Sequence, residues 1–206
     1  MATGYDNTTW FYERLSKLIF GQAQIKAQEY YLSQIKPGWH ILIIGGGTGE
    51  ILESLTRLHP SGLSITYIEV SAKMMALSQK RNTGNNSMVY ITKGIEQAEV
   101  PDLYDVVITA FLFDNFSEVN LAAAFTKIDQ HLKTGGLWLN TDFQLTGPLW
   151  QKVMLKSMYL LFNVLGAIDV TGLPDVEKQL LRHNYVKKGE KTNYKKFIST
   201  KYYQKL

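Results

Sequence analysis

The sequence predicts an α/β fold: a mostly parallel sheet with helices on both faces and an antiparallel strand pair at its C-terminal end. Two observations carry this expectation. Short, unbroken apolar runs, of which Ile41-Leu42-Ile43-Ile44 is the clearest, have the pattern of central strands buried on both faces. Helical spacings of apolar residues alternate with those runs, the order that parallel strands joined by crossover helices require. The 206 residues and 23.4 kDa fit one domain, expected to span 1–206, and no linker, repeat or low-complexity stretch divides the chain.

Each element follows from local signals. Residues 11–36 space Phe11, Leu15, Leu18, Ile19, Ile25, Leu32 and Ile35 helically, with Gly21 breaking the run in two. They form an N-terminal helical cap over 1–37, ended by the Pro37-Gly38 turn. Strand 41–44 leads into Gly45-Gly46-Gly47-Thr48-Gly49 and a helix with Ile51, Leu52, Leu55 and Leu58 on one side. Next come strand 65–68, a helix capped by Ser71 and reaching about Arg81, and strands at 88–92 and 105–109. A helix from Ser117 to Lys133 is expected to stop at Gly135-Gly136, before a fifth strand at 137–143. The ending changes character: an apolar helical stretch at 149–168, a helix at 175–182 and an antiparallel pair at 185–206.

Composition excludes several classes. With 45% hydrophobic and 19% charged residues, the chain can bury a core and is not largely disordered. Without cysteine there is no disulfide scaffold, no thiolate-held metal and no thiol catalysis. The four histidines, at 40, 59, 131 and 183, show no metal-ligand spacing, and no Gly-x-Ser-x-Gly elbow occurs. No cationic start followed by an apolar run opens the chain, so a cytoplasmic location is expected. The net charge is +4, and from Arg182 onward eight Lys or Arg face one acid, Glu190. Such a tail reads either as a contact for nucleic acid or an anionic surface, or as the wet face of an edge hairpin.

The glycine loop is the strongest functional signal. Glycines between a strand and a helix N-terminus let backbone approach a ligand closely. The loop lacks the Gly-Lys-Ser/Thr ending of a P-loop. Counted from Gly45, the dinucleotide fingerprint would need glycine at position 50, where Glu50 stands and would repel a pyrophosphate. A ligand without phosphate fits better. Glu69, at the end of the second strand, can accept both hydroxyls of a ribose.

These residues resemble the class I S-adenosylmethionine-dependent methyltransferases. Residues 41–50 look like their first motif, and Ile68-Glu69-Val70-Ser71-Ala72-Lys73-Met74-Met75 like their second. Leu132-Lys133-Thr134-Gly135-Gly136 resembles the turn before their fifth strand. Tyr5-Asp6, Phe11-Tyr12-Glu13-Arg14-Leu15-Ser16, Leu173-Pro174-Asp175 and His183-Asn184-Tyr185 are similar to the bacterial branch of ubiquinone/menaquinone-biosynthesis methyltransferases. The resemblance implies a Rossmann-like seven-stranded sheet and S-adenosylmethionine as cofactor, converted to S-adenosylhomocysteine. It implies that Gly45, Gly46, Gly47 and Gly49 pass the cofactor, Glu69 holds its ribose, and Val70 and Met74 flank its adenine. Ser71, Gly94, Ile95, Glu96, Thr109 and Phe111 would complete the site, with Tyr5 and Tyr12 closing over it or simply packing. Two departures stand out. Ile43 occupies a position where the family has an acid that helps organise the loop, and Gly94 is followed by Ile95-Glu96 rather than by Asp.

Methyl transfer needs alignment of two reactants, exclusion of water and, for some acceptors, a base. Asp114 and Asn115 follow the fourth strand, where a base or an orienting amide would sit; they equally suit a turn ahead of Ser117. Asp142 ends the fifth strand and either reaches the pocket or bonds its own loop, whereas Asp105 lies at the wrong strand end and reads as structural. The stretch 145–172 reads as a helical lid over an apolar substrate, a contact for a membrane surface, or a plain packed helix. As a lid it would present Trp150, Met154, Met158 and Phe162. The expected activity is methyl transfer to a small, apolar acceptor. An RNA methyltransferase using the basic tail and a non-catalytic cofactor-binding protein are the alternatives.

Overall fold

The computed structural model describes residues 9–164 and 172–206, with side chains from residue 14 onward. Seven strands form one sheet: β1 (His40–Ile44), β2 (Ser61–Ile68), β3 (Asn85–Ile91), β4 (Tyr104–Ala110), β5 (Leu132–Phe143), β6 (Tyr185–Asn193) and β7 (Ile198–Lys205). Their order is β3-β2-β1-β4-β5-β7-β6. The first five run parallel; β7 is antiparallel to β5 and to β6. This is the expected Rossmann-like architecture. The strand order reverses between β1 and β4, and ligands in such sheets bind outside the strand C-termini at that point.

The continuous apolar runs are explained by burial on both faces. Alternate β1 residues enter different layers: Leu42 and Ile44 join Val107 and Trp138 under Leu121, Phe125 and Ile128 of α5 (Glu118–His131). Ile41 and Ile43 join Val106 and Leu139 under Ile51, Leu52 and Leu55 of α3 (Glu50–Leu58). Each such fully buried side chain contributes roughly 1.5–3 kcal/mol over leaving it exposed. A third cluster lies at the strand C-terminal end. It ties α1 (Thr9–Phe20), α2 (Ala23–Glu29) and α6 (Leu149–Val164) to the sheet through Phe20, Ala27, Phe143, Leu155 and Phe197. That cluster places α1 and α6 beside the crevice.

Several boundaries differ from expectation. Gly21, at φ +57°, separates α1 from α2 as predicted, but the second helix ends at Glu29 and only a 3-10 turn, Leu32–Gln34, follows. α4 (Ala72–Ser78) stops short of Arg81, whose Nε donates to the Thr48 carbonyl at 2.9 Å. α5 ends at His131 rather than Lys133. Gly135-Gly136 lie inside β5, where the pairing with β4 shifts register, and do not end the helix. A Cβ on Gly136 would fall 2.7 Å from Leu132 Cδ1, so glycine lets the strand start fold back on itself there. α6 is described to Val164, and the rest of the stretch expected to 168 lies outside the described residues; α7 (Val176–Arg182) starts after an Asp175 cap. Among the described residues no helix is long and apolar enough to cross a membrane.

Candidate active site

A cavity of about 440 Å³ opens at the strand C-terminal end, within the range of small-molecule sites. It is bordered by the glycine loop, Glu69, the turn after β4, and one face each of α1 and α6.

The loop is built by close backbone approach. Gly45, Gly47 and Gly49 all take positive φ, and a Cβ on Gly46 would lie 2.4 Å from the Tyr67 ring. A Cβ on Gly49 would lie 2.8 Å from the Ser78 Cβ. Gly45 and Gly47 border the cavity, whereas Gly46 and Gly49 shape the loop behind it. Glu69 is buried at the cavity wall. Its Oε2 accepts from Gly47 N at 2.9 Å and its Oε1 from Ser71 N at 2.8 Å. One carboxylate thus fixes both loop and strand end, at a place where it can accept a diol. Glu50, the carboxylate read as repelling a pyrophosphate, pairs with Lys17 of α1 at 2.6 Å and is not part of the wall.

Ile43 is core, paired across the sheet with Tyr67 and Ile108. The Tyr67 hydroxyl donates to the Gly47 carbonyl at 3.0 Å. Tyr67 therefore supplies part of the loop support that an acid at position 43 would give. Burial, and secondarily the Glu69 charge, raise its phenol well above the usual range, so it stays a neutral donor. Sequence reasoning missed Tyr67 and Arg81. A Tyr in an otherwise apolar strand end was the only signal for the first.

The other expected residues divide. Val70, Met74, Gly94, Ile95, Glu96 and Phe111 border the cavity, and Glu96 Oε2 lies 2.9 Å from a Cβ position on Gly94. Ser71 is buried behind them, its Oγ accepting from Met74 N to cap α4. Thr109 is turned into the sheet: its hydroxyl donates to Asn140 Oδ1 at 2.8 Å and accepts from Trp138 Nε1 at 2.9 Å. It does not reach the cavity. Tyr5 and the Tyr12 side chain lie outside the described residues. Phe111 holds φ +51° while its ring packs 4.9 Å from Phe143. That left-handed backbone is strained for an aromatic residue, and strain of this kind collects at ligand sites.

Asp114 and Asn115 form a 3-10 turn and both border the cavity. Asn115 Nδ2 donates to Phe111 O at 2.9 Å and to Asp114 Oδ1 at 2.7 Å, so it serves the turn. Tyr159 of α6 donates to the Asp114 carbonyl at 3.0 Å, joining α6 to the turn. Asp142 bonds its loop: Phe143 N donates to Oδ1 at 2.8 Å and Asp114 N to Oδ2 at 3.3 Å, and it is not part of the wall. Burial pushes the Asp114 carboxyl up to about 7. Burial and the Asp114 charge push Asp142 well above the carboxylate range. Asp105 is structural, as expected, bound by His40 N and Lys133 Nζ at 2.9 and 2.8 Å. Of the four residues expected on a lid, Met158 and Phe162 line the cavity, whereas Trp150 packs on Tyr194 and Phe197 and Met154 lies against the same cluster.

The decisive comparison concerns the segment that carries the loop, Glu69 and the Asp114 turn: residues 41–136 match the family model described as a methyltransferase domain. That segment is thus similar to a methyltransferase domain, and the chain has the fold of the class I S-adenosylmethionine-dependent enzymes. The chain is 28% identical over 165 residues to the ubiquinone/menaquinone biosynthesis C-methyltransferase UbiE of Wigglesworthia glossinidia brevipalpis, covering 77% of this chain and 64% of that one. It is 24% identical over 106 residues to the cyclopropane-fatty-acyl-phospholipid synthase of Escherichia coli K12, covering 52% and 26%. The chain thus spans less than two-thirds of the length of both relatives. Among solved structures it superposes on magnesium protoporphyrin IX methyltransferase from Synechocystis, with S-adenosylhomocysteine bound, at a TM-score of 0.65. That likeness is at 14% identity and covers 98% of this chain and 84% of that one, and it shows the shared fold of the methyltransferase domain.

Proposed function

We propose that this protein transfers a methyl group from S-adenosylmethionine to a small, apolar acceptor in the cavity, with Asp114 taking the acceptor's proton. The observation that carries this reading is one continuous cavity bordered by the glycine loop and Glu69, by Phe20, Phe111, Phe143 and Phe162, and by Asp114. The residues fit the cofactor. The loop presents glycine backbone where a side chain would intrude, and Glu69 stands where ribose hydroxyls need an acceptor. When bound, the cofactor supplies an electrophilic methyl on a sulfonium sulfur. Val70 and Met74 would flank the adenine, and the 94–96 segment would meet its amino group. As cap and lid, α1 and α6 exclude water and hold the acceptor in line.

Asp114 is suited to proton transfer because its carboxyl titrates near neutrality. Asn115 holds its Oδ1, and Asp142 bonds the turn from below. Two relatives are named for quinone biosynthesis and for fatty-acyl phospholipids, which supports an apolar acceptor. The basic tail gives RNA no comparable site: Lys187 and Lys201 pair with Glu177, and Lys205 with Asp129. A cytoplasmic location stays part of the proposal.

Titration calorimetry with S-adenosylmethionine and S-adenosylhomocysteine tests the reading. Binding weakened at least tenfold by Glu69→Ala is expected, since a lost hydrogen bond to a charged group costs about 1.5–3 kcal/mol. No binding of either compound overturns it. In an acceptor screen, turnover should rise with pH through about 7 and be lost in Asp114→Asn, with S-adenosylhomocysteine affinity kept. Full turnover by Asp114→Asn removes the assigned base, and binding without turnover of any acceptor favours a non-catalytic cofactor-binding protein.

A further inference from the structure

We propose that the outer face of α6, with the β6–β7 turn, is a docking surface for an anionic lipid membrane. α6 buries Gln151, Leu155 and Tyr159 against the body of the protein. On the opposite side Leu149, Val153, Leu160 and Val164 are 60–77% exposed. Their spacings place them in one stripe along the helix. Leu145, just before the helix, is also exposed, and Leu18 of α1 is 83% exposed. A surface helix needs one apolar face; this one has two.

Charge selects the partner. Lys152 and Lys156 lie on the exposed side beside the stripe, and α6 carries no acidic residue. At its N-terminal end the β6–β7 turn adds Lys195 and Lys196, both exposed. Tyr194, Lys195 and Lys196 all take left-handed backbone conformations, at φ 45°, 52° and 65°. The turn is fixed in place: Gln151 Nε2 donates to the Lys195 carbonyl at 3.3 Å and Gln144 Nε2 to the Lys196 carbonyl at 3.1 Å. None of these four lysines has an ion-pair partner among the described residues. Of the basic tail, Lys187, Lys201 and Lys205 are spent on internal ion pairs, and Lys195 and Lys196 are delivered to the α6 surface.

An apolar stripe edged by cations and free of acids is the pattern of a helix lying in a membrane interface. At 16 residues α6 is about 24 Å long, too short to span. Lysine stems can lie along the apolar surface while their ammonium groups meet lipid phosphates. A shallow groove bordered by Leu149 and Val153 shares Ile19, Ser157 and Met158 with the cavity. Docked this way, the protein would take a lipid-soluble acceptor from the bilayer. That last step rests on the reading under Proposed function, whereas the docking does not.

The test is co-sedimentation of the full chain, without cofactor, with phosphatidylcholine vesicles containing or lacking phosphatidylglycerol. Binding at least tenfold tighter to the anionic vesicles, weakening with salt, is expected. Val153→Ser/Leu160→Ser should weaken it tenfold or more. Replacing Lys152, Lys156, Lys195 and Lys196 by Gln should weaken it several-hundredfold and flatten the salt dependence, because each lysine near such a surface is worth roughly fivefold. Thermal melts of both variants should match the parent, since all these side chains are exposed. No binding, equal binding to neutral vesicles, or binding unmoved by the substitutions overturns the proposal. A dimer that Val153→Ser/Leu160→Ser turns into a monomer also overturns it, because a second copy then occupies the face. Vesicle binding by a chain that does not bind S-adenosylmethionine leaves the docking standing and removes the methyltransferase reading.

Discussion

Ile43 and Tyr67 stand opposite each other on β1 and β2, and between them they decide how the glycine loop is held. With an aliphatic side chain at 43, the Tyr67 hydroxyl on the Gly47 carbonyl and the Glu69 carboxylate on Gly47 N fix the loop from two sides. Tyr67→Phe keeps the ring that Gly46 packs on and removes only the hydroxyl. It should cost about 1 kcal/mol of stability in urea denaturation and raise the Kd for S-adenosylhomocysteine about fivefold. An unchanged Kd would show that Glu69 alone organises the loop. Glu69 was legible in the sequence because its role belongs to a strand end followed by a capped helix. Tyr67 was not, because an aromatic residue in a strand reads as core until a neighbouring strand places its hydroxyl on a carbonyl. Asp142 was ambiguous for a related reason: it and Asp114 are 28 residues apart, and only the β4–β5 pairing brings their loops together.

At the scale of elements, helix α4 shows how a weak local structure serves the site. Seven residues are too few for a stable isolated helix, so α4 depends on its cap and on burial of Met74 and Met75. Ser71→Ala removes the acceptor for Met74 N and should lower stability by about 1 kcal/mol, read as a shifted denaturant midpoint with an unchanged slope. Met74 borders the cavity, so cofactor affinity should fall with it; full affinity would show that packing alone places the helix. The elements themselves were largely legible, since apolar periodicity and caps are local. The stop of α5 was not. Gly135-Gly136 look like a helix end, but the pairing of Tyr104 with Leu132 starts β5 at Leu132 rather than at 137.

For the whole molecule, the buried Asp114–Asp142 pair couples stability to pH. A buried carboxyl with a raised pKa holds its proton in the folded state where the unfolded chain has lost it. For Asp114 that contribution is fully present below the unfolded value of about 3.8 and is lost as pH rises through about 7, and the raised Asp142 acts in the same direction. Asp105 and Glu177 act oppositely: their lysine partners lower them, and their contribution is lost as pH falls through their depressed values. Stability should therefore peak at mildly acid pH and decline toward alkaline pH, while turnover rises over the same interval. Asp114→Asn should flatten the alkaline decline in thermal melts; an undiminished decline would assign it to other groups.

By itself the sequence determined the strand and helix order, the glycine loop, the acid that ends β2 and the family to which these motifs point, because all of them rest on local periodicity and spacing. The tertiary structure alone decided which carboxylates meet, which of the basic-tail lysines stay unpaired, and that α6 carries apolar surface on both sides. Those properties depend on contacts between residues far apart in sequence, and a hydrogen bond or a buried face is defined only once the partner element is in place.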